Sequence, residues 1–325
     1  MSLRLRFLYK PRFSIWRNFD AFFCGHAANA SLNISSSNEK SRISQKRNSC
    51  MANRIVLGIE YDGSHYQGWQ TQPHGKTVQD NLERALSQFT KEKVATTCAG
   101  RTDAGVHALE QIVHFDTALE REMYSWVNGV NAFLPESVVV RWSHAISSET
   151  LSTEEQEFHS RFSAFSRTYH YVLHNSPVRS PLWSRRAGWC FRPLDVERMS
   201  LAAQALLGEQ DFTVFRAAGC QAKTPIKTMY EAKIRQQAEL IVFSFSASAF
   251  LHHMVRNMVG ALIFVGMGRR EPEWIAELIG QRDRSLSAPT FMPDGLYLAR
   301  VGYDKKWALP QVEHENLPFA LRFSA

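Results

Sequence analysis

The chain has 325 residues, 44% of them hydrophobic, with a formal charge of +7. That length suggests about two domains, and no apolar run reaches the roughly 18–20 residues of a membrane-spanning helix, so the protein is expected to be soluble. Its five cysteines (Cys24, Cys50, Cys98, Cys190 and Cys220) are odd in number, widely spaced and without a C-x-x-C pair. A disulfide framework and a zinc cluster are thereby disfavoured, and a reducing compartment is expected.

Nine Lys/Arg against two Asp/Glu lie in residues 1–50, whereas the other 275 residues carry 29 of each sign. The basic character belongs to this first segment, and an RNA site in the body must come from a local patch. Residues 1–50 are also Ser-rich, without an apolar core followed by a cleavage site, so a secretory signal is not expected. Two readings stand: a mitochondrial-type presequence, or a start that really falls at Met51. Either way the fold is expected to begin after this extension.

The first strand is expected at Arg54–Tyr61, where Ile55, Leu57, Ile59 and Tyr61 alternate. After a polar loop, Thr77 and Asp80 form a capping box for a helix with a Val78, Leu82, Ala85, Leu86 and Phe89 stripe. A strand near Val94–Cys98 leads into the polar loop Gly100–His107, followed by a strand through Gln111–Phe115. A helix near 119–133 stops before Pro135, and a strand spans Val138–Trp142. Residues 102–160 are rich in acid, including Glu149, Glu154, Glu155 and Glu157.

The second half repeats this grammar. A strand is expected at Arg167–His174, a helix at Val196–Leu207 and strands at Thr228–Gln236 and Leu240–Ala247. Helices follow at Phe250–Val265 and Pro272–Ile279, and a last strand at Leu296–Tyr303. Strands and helices mix in α+β order. Between Arg161 and Arg192 stand six arginines and no acidic residue, with Phe162, Phe165, Tyr169, Tyr171, Trp183, Trp189 and Phe191 interleaved. Arginines with aromatics suit phosphate neutralisation and base stacking, although a solvated loop has the same composition.

Asp103 is the candidate for chemistry. An Asp–Gly turn between strands is usually only a turn, but this one also carries Arg101 and His107. A carboxylate beside a guanidinium stays ionised and can act as nucleophile or base. His252 and His253 raise the question of a metal. On a helix, however, adjacent residues point about 100° apart, and no third ligand has suitable spacing. No Walker or Rossmann motif is present, and no cofactor is expected.

Residues Ala99–Ala108 (AGRTDAGVHA) resemble the active-site loop of the TruA family of tRNA pseudouridine synthases. Further resemblances run in order: Gly58–Gly63 with Gly68–Gln70, Phe215–Gln221 through Pro225, Phe250–Asn257 with Gly260, and Ala288–Pro289 with Gly295–Leu298. Together they cover about residues 54–303. The resemblance implies a pseudouridine synthase α+β fold: two ferredoxin-like halves sharing an extended, mostly antiparallel sheet with a central cleft. The halves are expected at 51–160 and 161–303, with a tail at 304–325.

The resemblance also implies roles. Asp103 is the nucleophile, attacking at C1′ or C6 or removing a ribose proton. Arg101 helps extrude the target base, which must leave its stack for chemistry. Tyr169 stacks on the uracil and serves in proton transfer. Arg256 pairs with Asp103, and Leu296 buttresses the base. His107 and Arg167 join the expected substrate contacts. The expected substrate is tRNA at uridines 38–40 of the anticodon stem-loop, handled by a homodimer in the cytoplasm, or in mitochondria if the extension is a presequence. The rivals are a non-catalytic RNA-binding protein and the same chemistry on another RNA. The first is opposed by the presence of Asp103, Tyr169 and Arg256 together.

Overall fold

The computed structural model describes residues 53–146 and 157–311, with a two-residue backbone pairing of 316–317 and 321–322. The N-terminal extension, Glu149, Glu154, Glu155 and most of the tail lie outside the described residues. In chain order the elements are β1 (Asn53–Tyr61), α1 (Val78–Thr90), β2 (Thr97–Cys98), β3 (His107–Thr117), α2 (Met123–Asn131) and β4 (Val138–Ile146). There follow β5 (Ala164–Asn175), β6 (Gly188–Cys190), α3 (Val196–Ala203), β7 (Gly208–Asp211), β8 (Ile226–Gln237), β9 (Leu240–Ala247), α4 (Met254–Gly266), α5 (Trp274–Gln281) and β10 (Leu296–Tyr303).

One ten-stranded sheet runs β4-β1-β3-β10-β5-β9-β8-β7, with β2 on β3 and β6 on β5. In β1 to β4 the order is β4-β1-β3-β2, around helices α1 and α2. Strands β10-β5-β9-β8, with α3 and α4, follow the same scheme. These are two ferredoxin-like units, and the pseudouridine synthase α+β fold expected from the sequence is the fold observed. Pairing is antiparallel except for β10 on β3 and β6 on β5.

The seam between the units is short. Strand β10 meets β3 only at Tyr297↔His107 and Leu298↔Ala108. Farther along, the same edge of β3 is taken by β2, at Thr97↔His114 and Cys98↔Val113. The chain between β2 and β3 must therefore stand over the place where the two units part.

Local chemistry explains where elements start and stop. Thr77 caps α1 by accepting from the Asp80 N–H and donating to the Asp80 carboxylate at 2.5 Å. The strand expected from Val94 shrinks to Thr97–Cys98 because its backbone is drawn to helix α1. Val94 N–H donates to Ser87 Oγ (3.3 Å) and Thr96 N–H to Glu83 Oε1 (2.8 Å). Helix α4 begins at Met254, not Phe250: His253 adopts a left-handed φ of 60°, and the His252 carbonyl accepts from Ala217 N–H. A non-glycine residue in that region has to be held there by its surroundings.

The main core lies between the sheet and the helices. Fully buried Trp126 of α2 packs edge-on between Phe89 and Phe115, at ring distances of 5.3 and 5.4 Å. Trp126→Ala is expected to cost about 3–5 kcal/mol, read from the urea midpoint. A smaller cluster on the opposite face includes Leu109, Val172 and Tyr297. Glu110 is buried on β3, and that burial raises its carboxyl pKa to about 7. The folded state thus holds this proton more tightly than the unfolded chain. Its stabilising effect is complete below the unfolded pKa of 4.5 and is lost as pH rises through about 7. Glu110→Gln is accordingly expected to gain about 1–3 kcal/mol at pH 8 and much less at pH 5, measured as the difference in unfolding free energy.

Candidate active site

A cleft of about 1080 Å³ opens at the seam, and Asp103 lines it. The loop bearing Asp103 is braced from several sides. The Gln111 side chain donates to Gly100 O at 2.5 Å and accepts from Gly100 N–H at 3.4 Å. Buried Tyr61 shares a 2.8 Å hydrogen bond with Thr102 Oγ1, and Trp69 N–H donates to Thr102 O at 3.0 Å. Gly68 has φ +85°, and a Cβ there would stand 2.8 Å from Thr102 O. Only glycine suits such a close backbone approach. The Gly68–Gln70 motif is thus the backing of the Asp103 loop.

The later motifs converge on the other wall. Asn257 of α4 donates to Phe215 O (2.7 Å) and accepts from Thr290 Oγ1 (2.7 Å) and Arg284 (3.0 Å). One buried amide therefore ties the 215–222 loop and the 284–290 segment to the helix that carries Arg256. Arg256 donates through Nε to Phe291 O (2.7 Å) and through Nη1 to Asp103 Oδ2 (3.3 Å). It is a largely buried guanidinium, so removing its carboxylate partner leaves a costly charge.

Of the residues expected from the sequence, Asp103, Arg101, Tyr169, Arg167, Arg256 and Leu296 all line the cleft. Arg101 is exposed and forms no hydrogen bond or ion pair with the described residues, so its guanidinium is free to reach outward. Tyr169 of β5 is nine-tenths buried, with Phe250 edge-on at 5.0 Å. Burial raises the pKa of its phenol, and the charge of Asp103 adds to the effect, so the hydroxyl stays protonated at neutral pH. Leu296, the first residue of β10, sits opposite Tyr171 in the sheet and presents an apolar wall.

Two residues have other work. The Arg167 guanidinium is held by four backbone carbonyls: Ala164, Ser248, Ala99 and Arg161, at 2.6 to 3.2 Å. It fastens the foot of the Asp103 loop to β5. His107 is not in the cleft but is buried as the first residue of β3. Its Nδ1 accepts from Gly63 N–H (3.1 Å), while Nε2 bonds Arg185 O (2.9 Å), and its ring stacks on Tyr297 at 4.6 Å. It clamps the seam.

The sequence reading raised His252 and His253 only as a metal question and set them aside, without placing them beside Asp103. Because α4 starts later than expected, the two rings are not fanned apart by a helix. Their centroids lie 3.9 Å apart with the rings tilted by 37°, and His252 Nε2 stands 3.5 Å from Asp103 Oδ1 and His253 Nε2 3.3 Å from Oδ2. The spacing argument against a third group also fails, since Asp103, distant in sequence, brings a carboxylate oxygen within 4.8 Å of both rings' nitrogens. Burial lowers the pKa of His253, against the pull of Asp103.

The cleft thus brings together a carboxylate paired with a largely buried arginine, an aromatic ring, an apolar wall and an exposed arginine. Known proteins carry the same combination of segments. Residues 58–162 and 202–304 match the family described as tRNA pseudouridine synthase. The tRNA pseudouridine synthase A of Janthinobacterium sp. (strain Marseille) is 62% identical over 263 residues, which is 81% of this chain and 96% of the relative. That of Herminiimonas arsenicoxydans is 59% identical, over 81% of this chain and 94% of the relative. That of Paraburkholderia xenovorans (strain LB400) is 54% identical, over 82% and 96%. The protein is therefore an isomerase. The chain belongs to the tRNA pseudouridine synthase family.

Proposed function

We propose that this isomerase converts uridine to pseudouridine at positions 38, 39 and 40 of the tRNA anticodon stem-loop, with Asp103 as the nucleophile. The observation that carries the reading is the Asp103–Arg256 pair at the seam cleft, 153 residues apart in sequence and 3.3 Å apart in space. The guanidinium holds the carboxylate in place and aims it into the cleft. Asp103 releases the uracil from its ribose, the base turns within the pocket, and C5 bonds to C1′. Attack at C1′, attack at C6 and removal of a ribose proton all start from this same carboxylate.

Arg101 enters the stem-loop as the target base leaves it, supplying a cation where phosphates crowd. Tyr169 and Leu296 hold the uracil between a ring face and an apolar wall, which lets the base rotate without strong directional bonds. The protonated Tyr169 hydroxyl can donate to the uracil, and it can take the C5 proton only by handing on its own. Tyr169→Phe is expected to keep KM within about threefold and to lower kcat by about tenfold to a hundredfold, because the ring stays and the proton donor goes. Equal kcat for the two proteins would assign the tyrosine to stacking alone.

The chain works as a homodimer across which tRNA lies, in the cytoplasm, with residues 51–160 and 161–303 as its two halves. No helix among the described residues is long and apolar enough to cross a membrane. The test is a position-by-position pseudouridine map of tRNA from a strain lacking the gene. Loss of pseudouridine at 38–40 and its return on complementation are expected. A loss confined to other positions or another RNA would overturn the assignment.

A further inference from the structure

We propose that Asp103, His252 and His253 form a binding site for a divalent transition-metal ion of the zinc class, and that an ion held there inhibits the enzyme reversibly. The three offered ligand atoms all lie within 4.8 Å of one another. His253 Nε2 stands 3.3 Å from Oδ2 and His252 Nε2 3.5 Å from Oδ1. Around a tetrahedral zinc with bonds of about 2.0–2.1 Å, neighbouring ligand atoms stand about 3.3–3.4 Å apart. The two imidazole–carboxylate distances are near that spacing, the full set closes to within 4.8 Å, and two imidazoles with one carboxylate are ligand chemistry suited to zinc, iron(II) and nickel.

The ring of His252 is exposed, but the backbone that carries both histidines is held in place. His253 holds its left-handed φ of 60°, and His252 is fixed by its backbone, whose N–H donates to Cys220 Sγ and whose carbonyl accepts from Ala217. Among the described residues each Nε2 faces only the Asp103 carboxylate, at 3.5 and 3.3 Å, so an ion entering between them would meet all three groups at once. The cleft leaves the remaining coordination positions open to water.

Inhibition follows from geometry. Asp103 Oδ2 now faces Arg256 Nη1 at 3.3 Å. A dication replaces that guanidinium as the carboxylate's counter-charge, occupies its lone pairs, and stands where the uracil must enter. Arg256 keeps its bond to Phe291 O. The inhibitory half of this inference rests on Asp103 being the nucleophile; the binding half does not.

The test uses the full-length protein, stripped with chelator. Zinc chloride is titrated by calorimetry and cobalt chloride by visible absorbance, without tRNA. One ion per chain is expected, with a dissociation constant on the order of micromolar. His252→Asn and His253→Asn, each checked for folding by circular dichroism, should weaken binding at least about tenfold and abolish the cobalt spectrum. Zinc-loaded wild type, freed of excess ion, should turn over tRNA at least about tenfold more slowly, and EDTA should restore it. Absence of one-per-chain binding, or equal affinity in both histidine variants, would overturn the site. Full turnover with the site filled would overturn the inhibition. Asp103→Asn turnover in metal-free buffer tests the nucleophile separately, so the two failures are distinguishable.

Discussion

Asp103→Asn is expected to lower turnover by about four orders of magnitude or more, the scale seen when a nucleophile is removed. Asparagine has the same shape but no charge to attack or to accept a proton. The loop itself should survive, because what braces it is the backbone of Gly100 and Thr102 and the hydroxyl of Thr102, held by Gln111, Trp69 and Tyr61. Stability should fall by about 1–3 kcal/mol, because Arg256 keeps Phe291 O but loses its counter-charge. Affinity for tRNA should be kept, since Asp103 repels phosphate and does not bind it. The measurements are single-turnover pseudouridine formation, urea unfolding and filter binding. Normal turnover in the variant would transfer the chemistry to another residue.

Arg256→Lys is expected to lower kcat by about a hundredfold to a thousandfold. Arginine here makes two bonds in different directions, to Phe291 O at 2.7 Å and to Asp103 at 3.3 Å. A lysine keeps the charge but cannot serve both in a fixed fork. If charge alone mattered, lysine would be nearly silent. If the fork aims the carboxylate, kcat falls while KM moves little, and steady-state kinetics on an anticodon stem-loop separates the two.

Much of this was legible in the sequence, because it was local. The alternation of Ile55, Leu57 and Ile59, the Thr77 cap, the stop before Pro135 and the loop with Arg101 and Asp103 all announce themselves within a few residues. Features that depend on distant partners were hidden. The shortness of β2 follows from Ser87 and Glu83 taking the N–H groups of Val94 and Thr96. No residue-level repeat betrays the two ferredoxin-like units, since the repeat lies in strand order and not in side chains. His107 reads as a loop residue until β3 is seen to begin with it. The late start of α4 turns on a left-handed His253, a conformation that a non-glycine residue does not advertise. That one hidden detail concealed the histidine pair beside Asp103. Arg167 looks like an RNA-facing arginine in a basic patch, and only the fold shows its four carbonyl partners.

The motifs after residue 200 gain a physical meaning from the fold. Asn257 joins Phe215 to Thr290, and Gly260 lets Pro289 O approach to a distance at which any Cβ would clash, 2.5 Å. These contacts build the wall from which Arg256 reaches Asp103. The Asp103–Arg256 pair thus depends on buried contacts well away from Asp103 itself.

The most direct test incubates purified protein, in metal-free buffer without cofactor, with unmodified tRNA carrying uridines at 38–40, and maps pseudouridine by position, with Asp103→Asn in parallel. Pseudouridine at 38–40 with the wild type and none with the variant is the expected result. Product formed equally by the variant, or no product from folded wild type that binds the tRNA, would contradict the account.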